Sequence, residues 1–266
     1  MNQWSRYTNN QARKALTSFR KYIRSNEEED LHELRVHLKK IKATLGYVRQ
    51  HAPHLRKELA PQYHTLKRYF RQAGAVRAIG LRLNWLQTEG WSALAEASDS
   101  YRCLQRQQKK LFKNEKKYAS VLRQVQKMLH AHADWGRTSA IKKYAFQLKQ
   151  TVFLIALSGS SDDWHELRKT IKRLLYAMQW MDAVETKKII SKATCLKLER
   201  LQEQIGSWHD LLDHHNWMLQ QGFLSSQNPA LKELSAIALK SIRNRLRLDA
   251  QKVDLLLQET IPGLYD

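Results

Sequence analysis

The sequence predicts an all-α protein made of two tandem units of four helices each. Glycine and proline, the two residue types that helix interiors tolerate least, are scarce, with 9 and 4 residues in a chain of 266. A helical segment at residues 32–42 also returns at residues 165–175, and further matching blocks follow at almost the same offset. A duplicated four-helix unit, packed into one body about a pseudo-twofold axis, accounts for both observations.

The duplication rests on two matching blocks in each half of the chain. The segment His-Glu-Leu-Arg begins at His32 and again at His165. The segment Gln-x-Gly begins at Gln72 and again at Gln204, so both pairs of blocks share nearly the same offset. We therefore predict two repeats within a single domain. The predicted bounds are about 1–133 for repeat 1 and about 134–266 for repeat 2, together covering residues 1–266.

Helical spacing and helix breakers predict the elements of the first repeat. The acidic run at residues 27–30 favours the start of the second helix, and Pro53 ends that helix. Pro61 marks either the first turn of the third helix or a kink in it. The predicted long helices are about 4–23, 28–51, 54–86 and 99–130, with a short helix at 91–97.

The same reasoning predicts four helices in the second repeat. A Ser-Gly-Ser-Ser-Asp-Asp segment at residues 158–163 signals a turn and a helix cap, and Asn228-Pro229 opens the last helix. Gly206 is expected to interrupt the third helix of this repeat. The predicted spans are about 138–157, the motif helix from the cap to about 184, 187–221, and 229 to just before Pro262.

Each motif helix carries a row of basic residues beside an apolar seam. Because an α-helix turns about 100° per residue, offsets of 0, +3, +7 and +10 fall on one stripe. Beside the first stripe, the seam consists of Leu31, Leu34, Leu38, Ile41 and Leu45. The stripe is His32, Arg35, Lys39 and Lys42 in repeat 1, and His165, Arg168 and Lys172 in repeat 2, where Leu175 breaks it.

The charge of the chain predicts an anionic partner. Lysine and arginine number 46 against 25 acidic residues, a formal charge of +21. Nucleic acid, inorganic polyanions and anionic lipid all fit this balance. No apolar run is long enough to span a bilayer, the start of the chain has no apolar signal-peptide core, and two cysteines make no disulfide framework. The predicted location is therefore a reducing cytoplasm, without membrane insertion.

If the two repeats face each other, their basic stripes converge on a central basic groove or pore. Like charges about 6 Å apart at an effective dielectric near 20 repel by roughly 3 kcal/mol, and a multivalent anion removes that repulsion. The alternative is that Lys39, Lys40 and Lys42 are simply solvated. The repetition of His-x-x-Arg between leucines favours the groove.

The doubled motif resembles the signature of the CHAD (conserved histidine α-helical) domain family. The family's second mark, a Gly-x-x-Arg/His-Asp turn, is matched from Gly206 to Asp210 and, in degraded form, from Gly74 to Ala78. Ala78 replaces an aspartate and Leu175 a basic residue of the family pattern. The resemblance implies two four-helix bundles around a basic pore, binding of inorganic polyphosphate, association with polyphosphate granules, and no catalysis.

The resemblance and the stripe together give a set of candidate polyphosphate contacts. Arginines are expected to make forked contacts with phosphate oxygens and lysines to act as point charges. The motif histidines either donate a ring N–H to phosphate or hydrogen-bond within the bundle. The candidates are His32, Arg35, Lys39, Lys40, Lys42, Arg77, His165, Arg168, Lys169, Lys172, Arg173 and His209. Basic rows on the fourth and eighth helices are either groove walls or a solvated face: Lys109, Lys113, Lys116, Lys240, Arg243 and Arg247.

Two other functions remain open from the sequence. A nucleic-acid-binding helical protein would show the same charge. A metal-dependent phosphohydrolase is suggested by the i,i+4 pairs His209–Asp213 and Asp210–His214, although a hydrolase of that kind needs further ligands. No phosphate-binding glycine loop, serine nucleophile motif or reactive-cysteine site is found. The sequence therefore predicts a binding protein without cofactor or metal.

Overall fold

The structure is a computed structural model that describes residues 3–131 and 137–265. Every regular element within these two ranges is helical, which confirms the predicted all-α class. The α-helices are α1 (Gln3–Ser25), α2 (Glu28–His51), α3 (Arg56–Thr88), α4 (Ser92–Glu96), α5 (Ser100–Lys113), α6 (Glu115–Ala131), α7 (Thr138–Ser158), α8 (Trp164–Met178), α9 (Ala183–Lys187), α10 (Lys192–Gln220), α11 (Pro229–Thr260) and α12 (Pro262–Tyr265).

The chain divides into two compact units between Ala140 and Ile141. The first unit contains α1 to α6, and the second contains nearly all of α7 together with α8 to α12. The repeat bounds, the pseudo-twofold axis and the central groove stay predictions. Among the helices of the described ranges, none combines the length and the apolar character that crossing a bilayer requires.

In the first unit, α1 packs on α2 and α6, while α3 packs on α2, α5 and α6. The predicted seam of α2 is buried: Leu34 and Leu45 are 0% exposed, and burying one such side chain stabilises by roughly 1.5–3 kcal/mol. An aromatic stack joins three helices. Tyr69 of α3 lies flat on Tyr118 of α6, with ring centroids 3.8 Å apart, and meets Phe19 of α1 edge-on at 5.1 Å.

In the second unit, α8 packs on α10, and α10 packs on α11. The α8 face towards this core carries Leu167, Ile171 and Leu174, each at most 1% exposed. On α7, Tyr144 stacks on Trp180 in the segment after α8, with centroids 6.2 Å apart. These contacts hold α8 and α10 side by side and so position the second motif.

Two predicted helices are shorter than the sequence suggested. The helix expected at 99–130 is divided into α5 and α6 at Asn114, whose side-chain amide donates to the Lys110 carbonyl at 2.8 Å. The backbone N–H of Asn114 donates instead to Leu111, so the side chain takes the carbonyl that would continue the helix. The second motif helix ends at Met178 rather than near 184, because Asp182 caps the separate helix α9 by accepting from the Glu185 N–H at 2.9 Å.

The glycines of the family motif lie inside helices rather than in turns. The interruption predicted at Gly206 is wrong, since α10 runs without a break from Lys192 to Gln220. Gly74 likewise lies within α3, which also contains Pro61 in its second turn. The third helix of the first repeat therefore begins before Pro61, and the two motif glycines serve a packing role on a helix surface.

Candidate functional site

Three of the predicted site cations on α2 gather around one aromatic ring of α3. Lys42 Nζ lies 4.4 Å from the centroid of the Phe70 ring, Arg35 Cζ lies 4.8 Å away and Lys39 Nζ lies 5.9 Å away. The face of an aromatic ring carries partial negative charge, which attracts cations at such distances. We call Arg35, Lys39, Lys42 and Phe70 the Phe70 cluster. Because Phe70 is half-buried, the cluster concentrates positive charge at a partly desolvated surface.

Gly74 leaves the space that the Arg35 side chain occupies. A Cβ atom at Gly74 would clash with Nη1 of Arg35 and lie 3.4 Å from its Cζ. Both residues are only partly exposed. The lack of a side chain on α3 therefore sets how closely the guanidinium of Arg35 can approach α3.

His32 lies at the start of the same stripe, next to Arg77 of α3. Burial, and then the charge of Arg77, lower the pKa of His32. Its Nδ1 atom is buried without a hydrogen-bond partner among the described residues. Arg77 Nε in turn lies 3.8 Å from Glu28 Oε1. At neutral pH the His32 imidazole is therefore uncharged, and its Nδ1 atom makes no hydrogen bond within the described residues.

Lys40 differs from the other predicted contacts of repeat 1. Burial and the charge of Lys14, on α1, lower the pKa of Lys40. Its neighbourhood is therefore the α1 side of α2, whereas Arg35, Lys39 and Lys42 meet α3. Of the predicted cations on α2, the structure brings these three together and places Lys40 beside α1.

In the second unit, Arg168 repeats the relationship of Arg35 to its glycine. A Cβ atom at Gly206 would lie 2.5 Å from Arg168 Nη2 and 2.9 Å from Cζ. Arg168 Nε donates to the backbone carbonyl of Gln202 at 3.1 Å. Gln202 is the counterpart of Phe70 when the two Gln-x-Gly segments are aligned. The second unit therefore holds its arginine by a hydrogen bond where the first uses an aromatic ring.

Two imidazoles meet at the start of the second motif. The rings of His165 and His209 lie 4.9 Å apart, centroid to centroid. His209 Nδ1 approaches Asp213 Oδ2 at 3.4 Å, and this contact raises the pKa of His209. Burial and the charge of His209 lower the pKa of His165. The pair therefore divides into one ring that protonates readily and one that resists protonation.

Glu166 holds two predicted site cations of α8. Lys169 Nζ lies 2.5 Å from Glu166 Oε2, and Arg173 Nη2 lies 3.2 Å from Oε1. Arg173 also donates to the Thr170 hydroxyl at 2.9 Å. These side chains are about half exposed, so each ion pair is individually weak. Lys172, the remaining lysine of the stripe, is half-buried.

Within the described residues, one group of three side chains has a spacing suited to a metal ion. His209, Asp210 and Asp213 offer ligand atoms that all lie within 4.8 Å of one another. Both aspartates are exposed, and exposed acidic groups adopt such spacing without an ion. His214, the fourth residue of the predicted i,i+4 pairs, is buried.

The basic rows predicted as groove walls are on the surface of their own units. Arg243 Nε donates to His215 Nε2 of α10 at 3.4 Å. The break at Asn114 places Lys116 on a different helix from Lys109 and Lys113, so these three do not form one continuous row. All six side chains are exposed: Lys109, Lys113, Lys116, Lys240, Arg243 and Arg247.

Sequence reasoning missed the residues that hold the arginines. Phe70 and Gln202 carry no basic charge and stand outside both duplicated motifs, and Glu166 lies inside the motif but is acidic. A usable signal exists for Phe70, because it precedes Gly74 by four residues and therefore lies on the same face of α3. Using that signal requires knowing which face of α3 packs against α2, and the sequence alone does not give this.

Comparison with known proteins gives one family match. The family model described as CHAD domain matches residues 9–219 of the 266-residue chain. The match covers both motif helices and both Arg–Gly contacts. No curated protein and no solved structure matches the chain.

Proposed function

The chain belongs to the CHAD-domain family, and on that premise we propose that it binds a linear polyanion, most of all inorganic polyphosphate, without catalysing its reaction. The observation that carries the proposal is the Phe70 cluster. It places two lysines and one arginine within 6 Å of a single ring. Such an arrangement suits a ligand with closely spaced negative charges.

Electrostatics supports a multivalent ligand. Two cations about 6 Å apart at an effective dielectric near 20 repel by roughly 3 kcal/mol, and the quadrupole of one ring offsets that by about 0.5–2 kcal/mol. A chain of phosphates lowers the remaining repulsion and accepts charge-assisted hydrogen bonds from Arg35. Polyphosphate carries such charges along a flexible chain without bases.

We propose that the second motif contributes to the same binding function. Arg168 and Lys172 supply the cations there, and His209 becomes a further cation as it protonates. The central groove, in which both stripes serve one ligand, comes from the family resemblance and belongs to this proposal. Such a groove predicts that replacing Arg35 and replacing Arg168 have non-additive effects on the binding free energy of a long polyphosphate. For a ligand too short to reach both arginines, the two effects should be additive.

A direct titration tests the proposed function. The 266-residue chain is titrated with sodium polyphosphate of several chain lengths by isothermal calorimetry, first alone and then with excess duplex or single-stranded nucleic acid. Polyphosphate binding that survives the competitor supports the proposal. Binding that the nucleic acid abolishes favours the nucleic-acid alternative instead. Salt weakens both kinds of complex and does not separate them.

The grouping of His209, Asp210 and Asp213 specifically favours a second candidate, a metal-dependent phosphohydrolase. The two carboxylates and one imidazole are ligands of the kind that such enzymes use. Protein incubated with polyphosphate and Mg²⁺, Mn²⁺ or Zn²⁺ is assayed for released phosphate. Release that Asp210→Asn abolishes would establish catalysis and overturn the non-enzymatic proposal, while no release above the blank supports binding alone.

The proposed location is the cytoplasm, at polyphosphate granules. The basic charge of the chain and its family membership support this assignment. A fluorescent fusion of the full chain is expected to form foci in cells that accumulate polyphosphate. The same fusion carrying Arg35→Gln and Arg168→Gln is expected to spread evenly.

A further inference from the structure

A basic pocket lies where α3 meets α5, on the side of α3 away from the Phe70 cluster. Its volume is about 510 Å³, within the range of about 300–1,000 Å³ that is usual for ligand pockets. Arg68 lies two residues before Phe70, so the two side chains leave α3 about 160° apart around the helix axis. Arg68 therefore lies on the side of α3 away from the Phe70 cluster. Among the described residues, the pocket is lined by His64, Thr65, Arg68, Arg71, Gln72, Ala75 and Gln107.

The lining is rich in hydrogen-bond donors and, among the described residues that form it, contains no carboxylate. Arg68 and Arg71 follow His64 by four and seven residues, so the three basic side chains form one row along α3. Gln107 of α5 provides the facing wall. A guanidinium pair with a neighbouring imidazole is a typical environment for an oxyanion.

Tyr118 of α6 interacts with two residues of the pocket lining, Gln72 and Arg68. Its hydroxyl donates to Gln72 Oε1, and the charge of Arg68 lies near enough to oppose the rise in the pKa of Tyr118 that burial causes. Since the carbonyl oxygen of Gln72 is used by Tyr118, its NH₂ group remains as the donor. Tyr118 is itself buried and stacked on Tyr69. The side chain of Gln72 in the lining is therefore held in place by a buried residue.

The basic row of the pocket is not duplicated in the second repeat. When the two Gln-x-Gly segments are aligned, Arg71 corresponds to Glu203 and His64 corresponds to Leu196. Arg68 alone keeps its charge, as Arg200. The second repeat therefore replaces one arginine of this row by an acid and the histidine by an apolar residue, so the row belongs to the first unit only.

We infer that the α3–α5 pocket is a second binding site, for a phosphate group, separate from the Phe70 cluster. Arg68 and Arg71 provide the paired guanidinium donors, while Gln72 and His64 provide further N–H groups. The phosphate comes either from a small phosphoanion such as pyrophosphate or from the end of a polyphosphate chain. The site uses no residue of the motif stripe and does not depend on the proposed function.

Titration of the 266-residue chain with sodium pyrophosphate tests the inference. The variant Arg68→Gln/Arg71→Gln is compared with Lys187→Gln/Arg200→Gln, which removes the same charge from exposed positions of the second unit. The pocket variant is expected to bind pyrophosphate at least tenfold more weakly, and the control is expected to bind as the unchanged protein does. Equal binding by both variants, or no pyrophosphate binding by the unchanged protein, overturns the inference.

Two further measurements locate the ligand and identify its source. Arginine modification by phenylglyoxal, read by mass spectrometry, should show pyrophosphate protecting Arg68 and Arg71 even in the variant Arg35→Gln/Arg168→Gln. No protection there contradicts the pocket. A titration with long polyphosphate then assigns the source: weaker binding by the pocket variant supports capture of chain ends, and unchanged binding supports a small phosphoanion. Failure of the proposed function is seen separately, as unchanged polyphosphate binding after loss of Arg35 and Arg168.

Discussion

The guanidinium of Arg168 lies directly over Gly206, and a single methyl group on that glycine would come within 2.5 Å of Nη2. Arg35 and Gly74 show the same relationship in the first unit. In both units an arginine of the motif helix lies against a glycine inside the next long helix of the repeat. The glycine and the arginine therefore act as one structural feature.

Adding a methyl group at Gly74 is expected to displace Arg35 without unfolding the protein. The clash involves the far end of a flexible side chain, which can move, and alanine favours helix by up to about 1 kcal/mol over glycine. We expect Gly74→Ala to bind polyphosphate about tenfold more weakly with little change in melting temperature. Calorimetric titration and thermal unfolding measure the two effects.

Gly80→Ala is the matched control for that experiment. Gly80 lies in the same helix, and a Cβ atom there would meet nothing within 4 Å. It should raise the melting temperature and leave polyphosphate affinity unchanged. Equal affinity in the Gly74 and Gly80 variants would count against a role for Arg35 in binding.

Removal of both motif arginines is expected to weaken polyphosphate binding strongly. Charge-assisted hydrogen bonds contribute about 1.5–3 kcal/mol each, so Arg35→Gln/Arg168→Gln should lose at least about a hundredfold in affinity while far-UV circular dichroism stays helical. Lys187→Gln/Arg200→Gln removes the same charge elsewhere. If that control loses as much affinity, net charge rather than the motif explains binding.

Loss of the Glu166 carboxylate is expected to strengthen binding. Glu166 pairs with Lys169 and Arg173, and exposed pairs of this kind are worth about 0.2–1 kcal/mol. Glu166→Gln should therefore bind polyphosphate about two- to fivefold more tightly. The control is Glu33→Gln at the equivalent position of repeat 1, since Glu33 accepts a hydrogen bond from Ser18 instead. A greater gain from the control would contradict the assignment of Lys169 and Arg173.

Acid should destabilise the first unit through His37. Burial, followed by the charges of Lys40 and Lys14 and opposed by Glu33, lowers the pKa of His37 to about 4, and its Nδ1 lies 2.7 Å from Gln11 Oε1. Because the unfolded chain takes up this proton near pH 6.5 and the folded chain only near pH 4, stability is lost as pH falls between those values.

Urea unfolding at about pH 7 and about pH 5 measures this loss. His37→Gln should reduce the difference in unfolding free energy between the two conditions. It should not abolish the difference, since the pKa values of His32 and His165 are also lowered. An equal difference in the variant and the unchanged protein would show that His37 does not carry the effect.

The sequence predicted those elements whose determinants are local. The acidic first turn and Pro53 define α2, whose bounds agree with the prediction, and Asn228 caps α11 as expected by accepting from the N–H groups of Ala230 and Leu231. The seam beside the first stripe is buried. In each case the deciding residues lie within a few positions of the feature they determine.

The prediction failed where the deciding contact comes from another helix. The sequence of α10 alone suggests that Gly206 interrupts the helix. The glycine is instead explained by Arg168 of α8, which occupies the space that a side chain at position 206 would fill. Phe70 likewise gains its role from cations on α2. Asn114 is a different case: its side chain competes with its own backbone, and a single asparagine in a strongly helical stretch gives a weak signal.

The Arg–Gly contact also constrains how this protein can diverge. Every substitution of Gly74 or Gly206 adds at least a Cβ atom that displaces the arginine, so selection keeps each glycine for as long as its arginine is needed for binding. Once the arginine is lost, alanine at the glycine position becomes favourable for the helix. Descendants of this chain should therefore keep both members of a pair or lose both, and the pattern of joint loss would reveal which half has given up its ligand.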